Sequence, residues 1–473
     1  MTLQEALNSL PPVRSSATPK QLQCKIVVLD DDPTGSQTVH NIPVLTSWNI
    51  QDLASELGGM APGFFILTNT RALSPEAAAL RNQEIGTALK LAAQQVGKDF
   101  TVISRGDSTL RGHYPCETDA LTSALGGAFA GTVLVPAFMA GGRFTIEDVH
   151  YVAEGTRLVP VGETEFARDR SFGFQASNVR DYVAEKTGGR VKAADVMTVS
   201  ITDIRVGGPV VVANKLAQLT DGRVAVVNAA APEDFFVLSE ALAQPALRNR
   251  RLLYRTAADF VAAVFGQRPQ PPLPAVQLRT GSGGGLLVAG SYVGRTSLQL
   301  DALFASCPAV TRIEAEVGRL VDPDFCPAEI ARCRDLIDRE LAAGRSSILF
   351  TSRGLLTGAD AASSLELGAR ISSALVKIVS GLRQRPDWFV AKGGITSSDL
   401  ATEALQIRRA LVLGQAQPGV PVWLSGPGSK WPNLPYIVFP GNVGSGDALA
   451  NLVVALEAAR CNATPPLSAQ PQM

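Results

Sequence analysis

Residues 64–104 read FFILTNTRALSPEAAALRNQEIGTALKLAAQQVGKDFTVIS, and this stretch decides the fold class. Phe64–Thr68 and Phe100–Ser104 are short, largely apolar runs, the pattern of strands covered on both faces. Between them Ser74 is placed to cap a helix and Pro75 suits the first helical position. Ile85, Leu89, Ala92 and Val96 then recur at helical spacing. Strand, helix, strand in that order is a βαβ unit, and such units build parallel sheets with helices on both faces.

The same style extends in both directions. Lys25–Leu29 and Thr132–Val135 read as further strands of the first half. In the second half Leu286–Ala289, Ser347–Phe350, Trp388–Ala391, Val420–Leu424 and Tyr436–Phe439 read as strands, and Pro327–Ala343, Ala362–Leu382 and Gly446–Ala459 as helices. Arg268–Gly285, RPQPPLPAVQLRTGSGGG, separates the halves with a proline cluster and a Gly/Ser run. The expectation is an α/β protein of two open, Rossmann-like lobes with a ligand cleft between them: residues 1–267 for substrate, 286–460 for nucleotide, and 268–285 as linker. Glu163–Gly189 is less regular and is expected to contain an inserted lobe.

Composition narrows the function. The chain has 473 residues, 46% hydrophobic and 18% charged, enough for two or three domains with cores of their own. Lys+Arg and Asp+Glu are both 43, which argues against a general nucleic-acid binder. Six cysteines without a C-x-x-C pair and only three histidines argue against a Cys/His zinc site and for reduced thiols in the cytoplasm. No signal-peptide run and no stretch of about 18 apolar residues occurs, so no membrane association is expected. Residues 461–473 read as a frayed end.

The polar residues fall where open α/β sheets bind ligands, outside the carboxyl ends of the strands. Strand one ends in Asp30-Asp31-Asp32-Pro33-Thr34-Gly35, strand two in Thr68-Asn69-Thr70-Arg71, and strand three in Arg105-Gly106-Asp107-Ser108-Thr109-Leu110-Arg111-Gly112-His113. An Asp after a strand is often only a turn residue. Three in a row repel one another unless cations stand opposite, and Arg71, Arg105 and Arg111 are the candidates. Arginine grips carboxylates bidentately, so the set suggests a pocket for an anionic, hydroxyl-rich molecule with one Asp free to activate a hydroxyl. His113 and His150 read equally well as structural.

The second half instead offers glycine turns after strands: Gly290-Ser291-Tyr292-Val293-Gly294, Lys392-Gly393-Gly394-Ile395-Thr396-Ser397 and Gly441-Asn442-Val443-Gly444-Ser445-Gly446-Asp447. A strand, a glycine turn and a helix N-terminus together favour phosphate. One such turn is ordinary turn chemistry; three in one domain point to a nucleotide. There is no G-x-x-x-x-G-K-[ST], and the Gly281–Gly285 run precedes a strand, the wrong order for a dinucleotide fingerprint.

In this order the segments resemble the four-carbon acid sugar kinase family. The carriers are Asp31-Asp32-Pro33-Thr34-Gly35, Asp107-Ser108-Thr109-Leu110-Arg111-Gly112, Lys392-Gly393-Gly394-Ile395-Thr396-Ser397 and Gly441-Asn442-Val443-Gly444, with support at Gly141–Val152 and Leu253–Ala257. The resemblance spans roughly residues 25–455 and implies an N-terminal domain for a tetronate-like acid and a C-terminal domain for ATP with Mg²⁺. Transfer would give a 4-phosphate. By the same resemblance, Ser291, Gly393, Gly394, Ile395, Thr396 and Gly444 face the nucleotide, and Asp32, Arg71, Asp107, Ser108 and Arg111 form the acid-sugar side; the strand-end pattern itself adds Gly441 to the first set and Asp31 and Arg105 to the second. Many members have Lys-Ile where Arg105-Gly106 stands here, so substrate identity is not inherited.

For phosphoryl transfer Asp32 is the expected base, with Asp31 assisting or holding Mg²⁺, Arg71 and Arg111 clamping the carboxylate, and Asp107 a further catalytic carboxylate. Asp447 is the rival, since Gly444-Ser445-Gly446-Asp447 resembles the Gly-x-Gly-Asp turn of ribokinase-like enzymes; its plain reading is a carboxylate at a helix N-terminus. A hydroxyacid dehydrogenase and a non-catalytic sugar-acid sensor are the alternative classes. Oligomeric state stays open, a homodimer included.

Overall fold

The computed structural model describes residues 2–127, 129–290, 294–352, 361–441 and 443–462. The protein is α/β, and the chain divides into two compact units, Met1–Gln270 and Pro271–Met473.

In the first unit the strands are β1 (Lys25–Asp30), β2 (Ile42–Leu45), β3 (Gly63–Leu67), β4 (Phe100–Arg105), β5 (Gly131–Val135), β6 (Arg143–Ile146), β7 (Val149–Glu154), β8 (Arg157–Pro160), β9 (Met197–Val199), β10 (Arg223–Val227) and β11 (Leu252–Thr256). The main sheet runs β2-β3-β1-β4-β11-β5-β10-β9 with every pairing parallel, and β6-β7-β8 form a separate antiparallel sheet. Val27, Leu29, Phe64, Ile66 and Val102 face one side, where they bury Leu53, Leu57, Ile85, Leu89 and Leu121 of helices Ile50–Gly58, Pro75–Val96 and Cys116–Ala124. The alternate residues face the other side, where Phe65 meets Phe265 and Tyr254 meets Phe260 at ring-centroid distances of 6.3 and 5.5 Å. Covering both faces is why these strands read as continuous apolar runs. Helix Pro75–Val96 starts as its sequence predicts, with the Ser74 hydroxyl accepting from the Ala77 amide.

Residues 163–189 do not make a separate lobe. Phe174, Val179, Tyr182 and Val183 pack into one core with Leu134 of β5 and Val226 of β10.

The second unit contains β12 (Leu286–Ala289), β13 (Thr311–Ala315), β14 (Ser347–Thr351), β15 (Phe389–Lys392), β16 (Arg409–Gln417), β17 (Val420–Ser425) and β18 (Pro435–Phe439). Their order is β13-β14-β12-β15-β18-β17-β16, parallel from β13 to β18 and antiparallel beyond it. Helices Gly294–Ser306 and Ala448–Ala458 bury Leu300, Leu303, Leu449, Leu452 and Val453 against Leu287, Val390, Ile437 and Phe439. From Pro271 onward the proline/glycine segment read as a linker is built into this unit. Leu278 is buried, and Arg279 donates to the carbonyls of Gly281, Gly283 and Leu456.

Each sheet has a switch point, where successive connections leave in opposite directions. In the first unit it lies between β1 and β4, and in the second between β12 and β15. Open α/β sheets bind ligands at such crevices.

Candidate functional site

Parallel register brings the expected acid-sugar residues together. Leu67, Asp30, Arg105 and Thr256 are partners across β3, β1, β4 and β11, so the segments that follow these strands emerge level with one another. Asn69, with φ +50°, turns the chain into the short 3₁₀ segment Thr70–Ala72, a conformation Asn tolerates better than most residues. That turn aims Arg71 at the acid cluster.

The cluster is a lattice of opposite charges. Arg71 meets Asp31 at 3.1 Å, Asp32 at 3.3 Å and Asp107 at 3.5 Å. Arg105 meets Asp30 at 3.2 Å and Asp31 at 3.4 Å. Arg111 meets Asp107 at 2.9 Å and Asp169 at 3.6 Å. The three arginines expected from the sequence to offset the aspartates thus do so. Depth divides their roles: Arg105 is 4% exposed and forms a floor, whereas Arg71, Arg111, Asp32 and Asp107 reach the surface.

The carboxyl groups do not behave alike. Burial pushes Asp30 up to about 7 despite Arg105, and pushes Asp31 up as well. For Asp32 burial is outweighed by Arg71 and by the Thr34 hydroxyl and amide, which hold it below the usual carboxylate range. Asp107 is held lower still, because burial there is opposed by Arg111, Arg71 and Thr109. The two outer carboxylates are therefore ionised at neutral pH, whereas burial favours the protonated form of the two inner ones.

Two groups absent from the sequence-based set complete the site. Arg255, from β11, donates to the Ser104 hydroxyl and to Glu117, each at 2.8 Å, and stands 3.9 Å from Asp31. Glu117 also accepts from the Thr70 hydroxyl, tying the Arg71 turn to Arg255. A Cβ at Gly106 would lie 2.4 Å from the Arg255 guanidinium, so a side chain there displaces it. Leu253–Ala257 carries part of the family resemblance, but only the insertion of β11 between β4 and β5 shows what Arg255 does. Beside it Asp107, Arg111, Tyr114, Tyr182, Arg255 and Thr256 line a concavity of about 330 Å³, part of it open to solvent. The Thr256 hydroxyl is buried there with no hydrogen-bond partner among the described residues.

Ser108 and the histidines support this frame. A carbonyl can only accept, so His150 Nε2 donates to Ser108 O at 2.7 Å while Nδ1 meets the Thr145 hydroxyl at 3.0 Å. Burial drops His150 to about 4, and it stays neutral. His113 Nε2 stands 3.1 and 3.0 Å from the carbonyls of Thr70 and Leu73, bracing the Arg71 turn. Both are fixtures.

In the second unit Ala289, Lys392 and Phe439 are level partners on adjacent parallel strands, so the chain leaves β15 and β18 side by side. Ser291 lies outside the described residues. Gly393 has φ +110°, and its amide donates to Phe439 O at 2.8 Å, so it is not available to a ligand. Gly394, Ile395 and Thr396 begin the next helix, where amides lack intrahelical acceptors. Ile395 is exposed and Thr396 buried.

The turn at residues 443–447 has a definite polarity. Gln299 Nε2 donates to Val443 O and Ser445 O at 3.0 and 2.9 Å, and Arg295 donates to Gly444 O at 3.0 Å. In a trans peptide the C=O and the following N–H point in opposite directions. With Val443 O and Ser445 O bonded to buried Gln299, the following amides of Gly444 and Gly446 point away from that side chain, an arrangement that favours an anion. Gly444 needs its φ of +83°, and a Cβ there would lie 2.6 Å from that of Ala448. Asp447 is exposed, with its carboxylate accepting from the Ser445 hydroxyl and, at 3.1 Å, from Asn451. Those bonds lower its pKa.

Fold and sites thus define a two-unit α/β protein with an Asp/Arg site on one unit and, on the other, a glycine turn clasped through its carbonyls by Gln299 and Arg295. Residues 26–264 match the family of sugar-binding N-terminal domains, and residues 286–449 that of nucleotide-binding C-terminal domains. The chain belongs to the family that joins these two domains.

Two solved structures share the fold. One is a Salmonella typhimurium LT2 protein provisionally named a tRNA synthase (TM-score 0.65, 17% identity, 91% of this chain and 98% of that one). The other is a Haemophilus influenzae protein from a domain family of unknown function (TM-score 0.61, 18% identity, 91% and 100%). No curated protein matches the sequence. No helix among the described residues is long and apolar enough to cross a membrane.

Proposed function

We propose that the protein is an ATP-dependent kinase acting on the terminal hydroxyl of a four-carbon sugar acid. The observation that carries this reading is the division of chemistry. The sugar-binding unit presents charged Asp and Arg side chains at its strand ends, and the nucleotide-binding unit carries glycine turns after the adjacent strands β15 and β18, the carbonyls of the second held by Gln299 and Arg295. Phosphoryl transfer needs little else from a protein than positioning, charge neutralisation and a nearby base.

In this account Arg111 receives the substrate carboxylate beside Arg255, because it lines the concavity and keeps donors beyond its two ion pairs. Arg71 is more heavily engaged and orders Asp31, Asp32 and Asp107. Asp32 takes the hydroxyl proton. Its low basicity is no obstacle, since the transition state is loose and the proton leaves late. Asp107 links Arg71 to Arg111 and fixes their spacing.

Mg²⁺ accompanies ATP in kinases and neutralises phosphate charge. Among the described residues no cluster of three or more His, Cys, Asp or Glu is placed to hold a metal, but a phosphate-bound Mg²⁺ needs only one or two carboxylates. Exposed Asp447 fits that need; Asp31, ringed by Arg71, Arg105 and Arg255, does not.

The tRNA synthase name of the Salmonella protein finds no counterpart in a chain of zero net charge. The reading is tested by an ATP-depletion screen over erythronate, threonate, their epimers and 3-oxo derivatives. Depletion with at least one acid supports it, and none with any acid, together with acid binding, marks a sensor instead.

A further inference from the structure

Lys392, the last residue of β15, has no exposed surface. Its ammonium donates to Pro440 O at 2.6 Å and Gly441 O at 3.1 Å, and lies 4.6 Å from the centre of the Phe439 ring. Neighbouring strands contribute no charge at this level: β12 brings Ala289 and β18 brings Phe439. The charged group that faces it is Arg295 of helix Gly294–Ser306, another cation. No carboxylate among the described residues lies within ion-pair distance. Buried ammonium groups are normally paired with acids, and an unpaired one is costly.

The two carbonyls it holds open the segment that continues into the 443–447 turn. Lys392 and buried Gln299 hold the carbonyls of Pro440, Gly441, Val443 and Ser445, and exposed Arg295 holds that of Gly444, so the segment is clasped through its carbonyls. A positive group beneath such a turn lacks only an anion above it.

We propose that Lys392 is a positioning residue of the nucleotide site, orienting the Pro440–Gly441 backbone and serving as the buried countercharge of the phosphate chain. The inference rests on the nucleotide reading of this unit. It has a consequence that a purely structural lysine lacks. Burial first, and Arg295 second, lower Lys392 to about 7 in the free protein. An anion above it favours the charged form and raises that value, so nucleotide binding takes up a proton. By linkage, affinity falls as the pH rises above 7.

The test is nucleotide titration calorimetry on the full chain at pH 8, in two buffers of different ionisation enthalpy. Wild type is expected to take up close to one proton per ATP, roughly the fraction missing from a lysine one pH unit above its pKa. Lys392→Met and Lys392→Gln are expected to lose that uptake and bind ATP about tenfold more weakly, with thermal midpoints confirming folding. Gln retains a donor, so wild-type affinity in Lys392→Gln would reduce the residue to a backbone clip and overturn the proposal. Wild-type ATP binding without proton uptake would overturn it whether or not the variants fold. Absence of any ATP binding by wild type would instead remove the nucleotide reading beneath it.

Discussion

Asp30 and Arg105 end adjacent parallel strands as register partners, and their side chains pair at 3.2 Å beneath the candidate sugar site. Both are under 5% exposed, so the pair is a floor and not a surface ornament. It fixes the chain where it leaves β1 and β4, and the outer residues Asp32 and Asp107 take their places from there.

Arg105→Met should destabilise the first unit by about 3–5 kcal/mol, because it leaves buried Asp30 without its cation, whereas Asp31 keeps Arg71. Urea denaturation measures this directly. A loss below about 1 kcal/mol, the scale of a surface pair, would show that the floor reading is wrong.

Asp30 also sets a pH dependence. Its folded pKa, about 7, lies above the ordinary aspartate value, so the folded state binds the proton more tightly. The stability this group contributes is full below about pH 4 and is lost as the pH rises toward 7. His150, lowered to about 4, acts oppositely, losing stability as the pH falls from 6.5 toward 4. Asp30→Asn should remove the first effect alone, so its Tm profile should decline less between pH 4.5 and 7.5 than that of wild type. Parallel profiles would rule the assignment out.

Much of the fold was legible because chemistry and local pattern coincide. Strands covered on both faces are apolar runs, and the Ser74-Pro75 start marks its helix. The strand ends followed, and with them Asp31, Asp32, Arg71, Asp107 and Arg111. β9, β10, β11 and the β6-β7-β8 sheet did not emerge, since a short apolar or half-buried run does not declare its state by periodicity. Arg255 was hidden for a topological reason: β11 follows β4 by nearly 150 residues, roughly, yet pairs with it. Lys392 sat in a motif whose glycines drew attention, and its burial is a property of β12 and β18 closing on β15.

One closely packed glycine in each candidate site should separate the two units functionally. Gly106→Ala pushes on Arg255 and should lower kcat/KM for the acid by about ten- to a hundredfold without changing the KM for ATP. Gly444→Ala, strained at φ +83° and crowded by Ala448, should do the reverse, raising the KM for ATP about tenfold or more. Steady-state kinetics with each substrate varied checks both. Equal effects of one variant on both KM values would contradict the division of labour.

The base is assigned by comparing Asp32→Asn with Asp447→Asn in single turnover at saturating ATP and Mg²⁺. Asp32→Asn should slow transfer by about 10²–10⁴-fold. Asp447→Asn should stay within about tenfold once ATP saturates, its effect falling on the KM for MgATP. The opposite pattern moves the base to Asp447.

The central claim is that phosphate passes from ATP to the terminal hydroxyl of a four-carbon acid. Phosphorus NMR of a reaction with the best acid from the screen reads that outcome in one spectrum. The account predicts a new monoester resonance coupled to the C4 protons, growing in step with ADP. ADP accompanied only by inorganic phosphate, or a phosphate at another carbon, would contradict it.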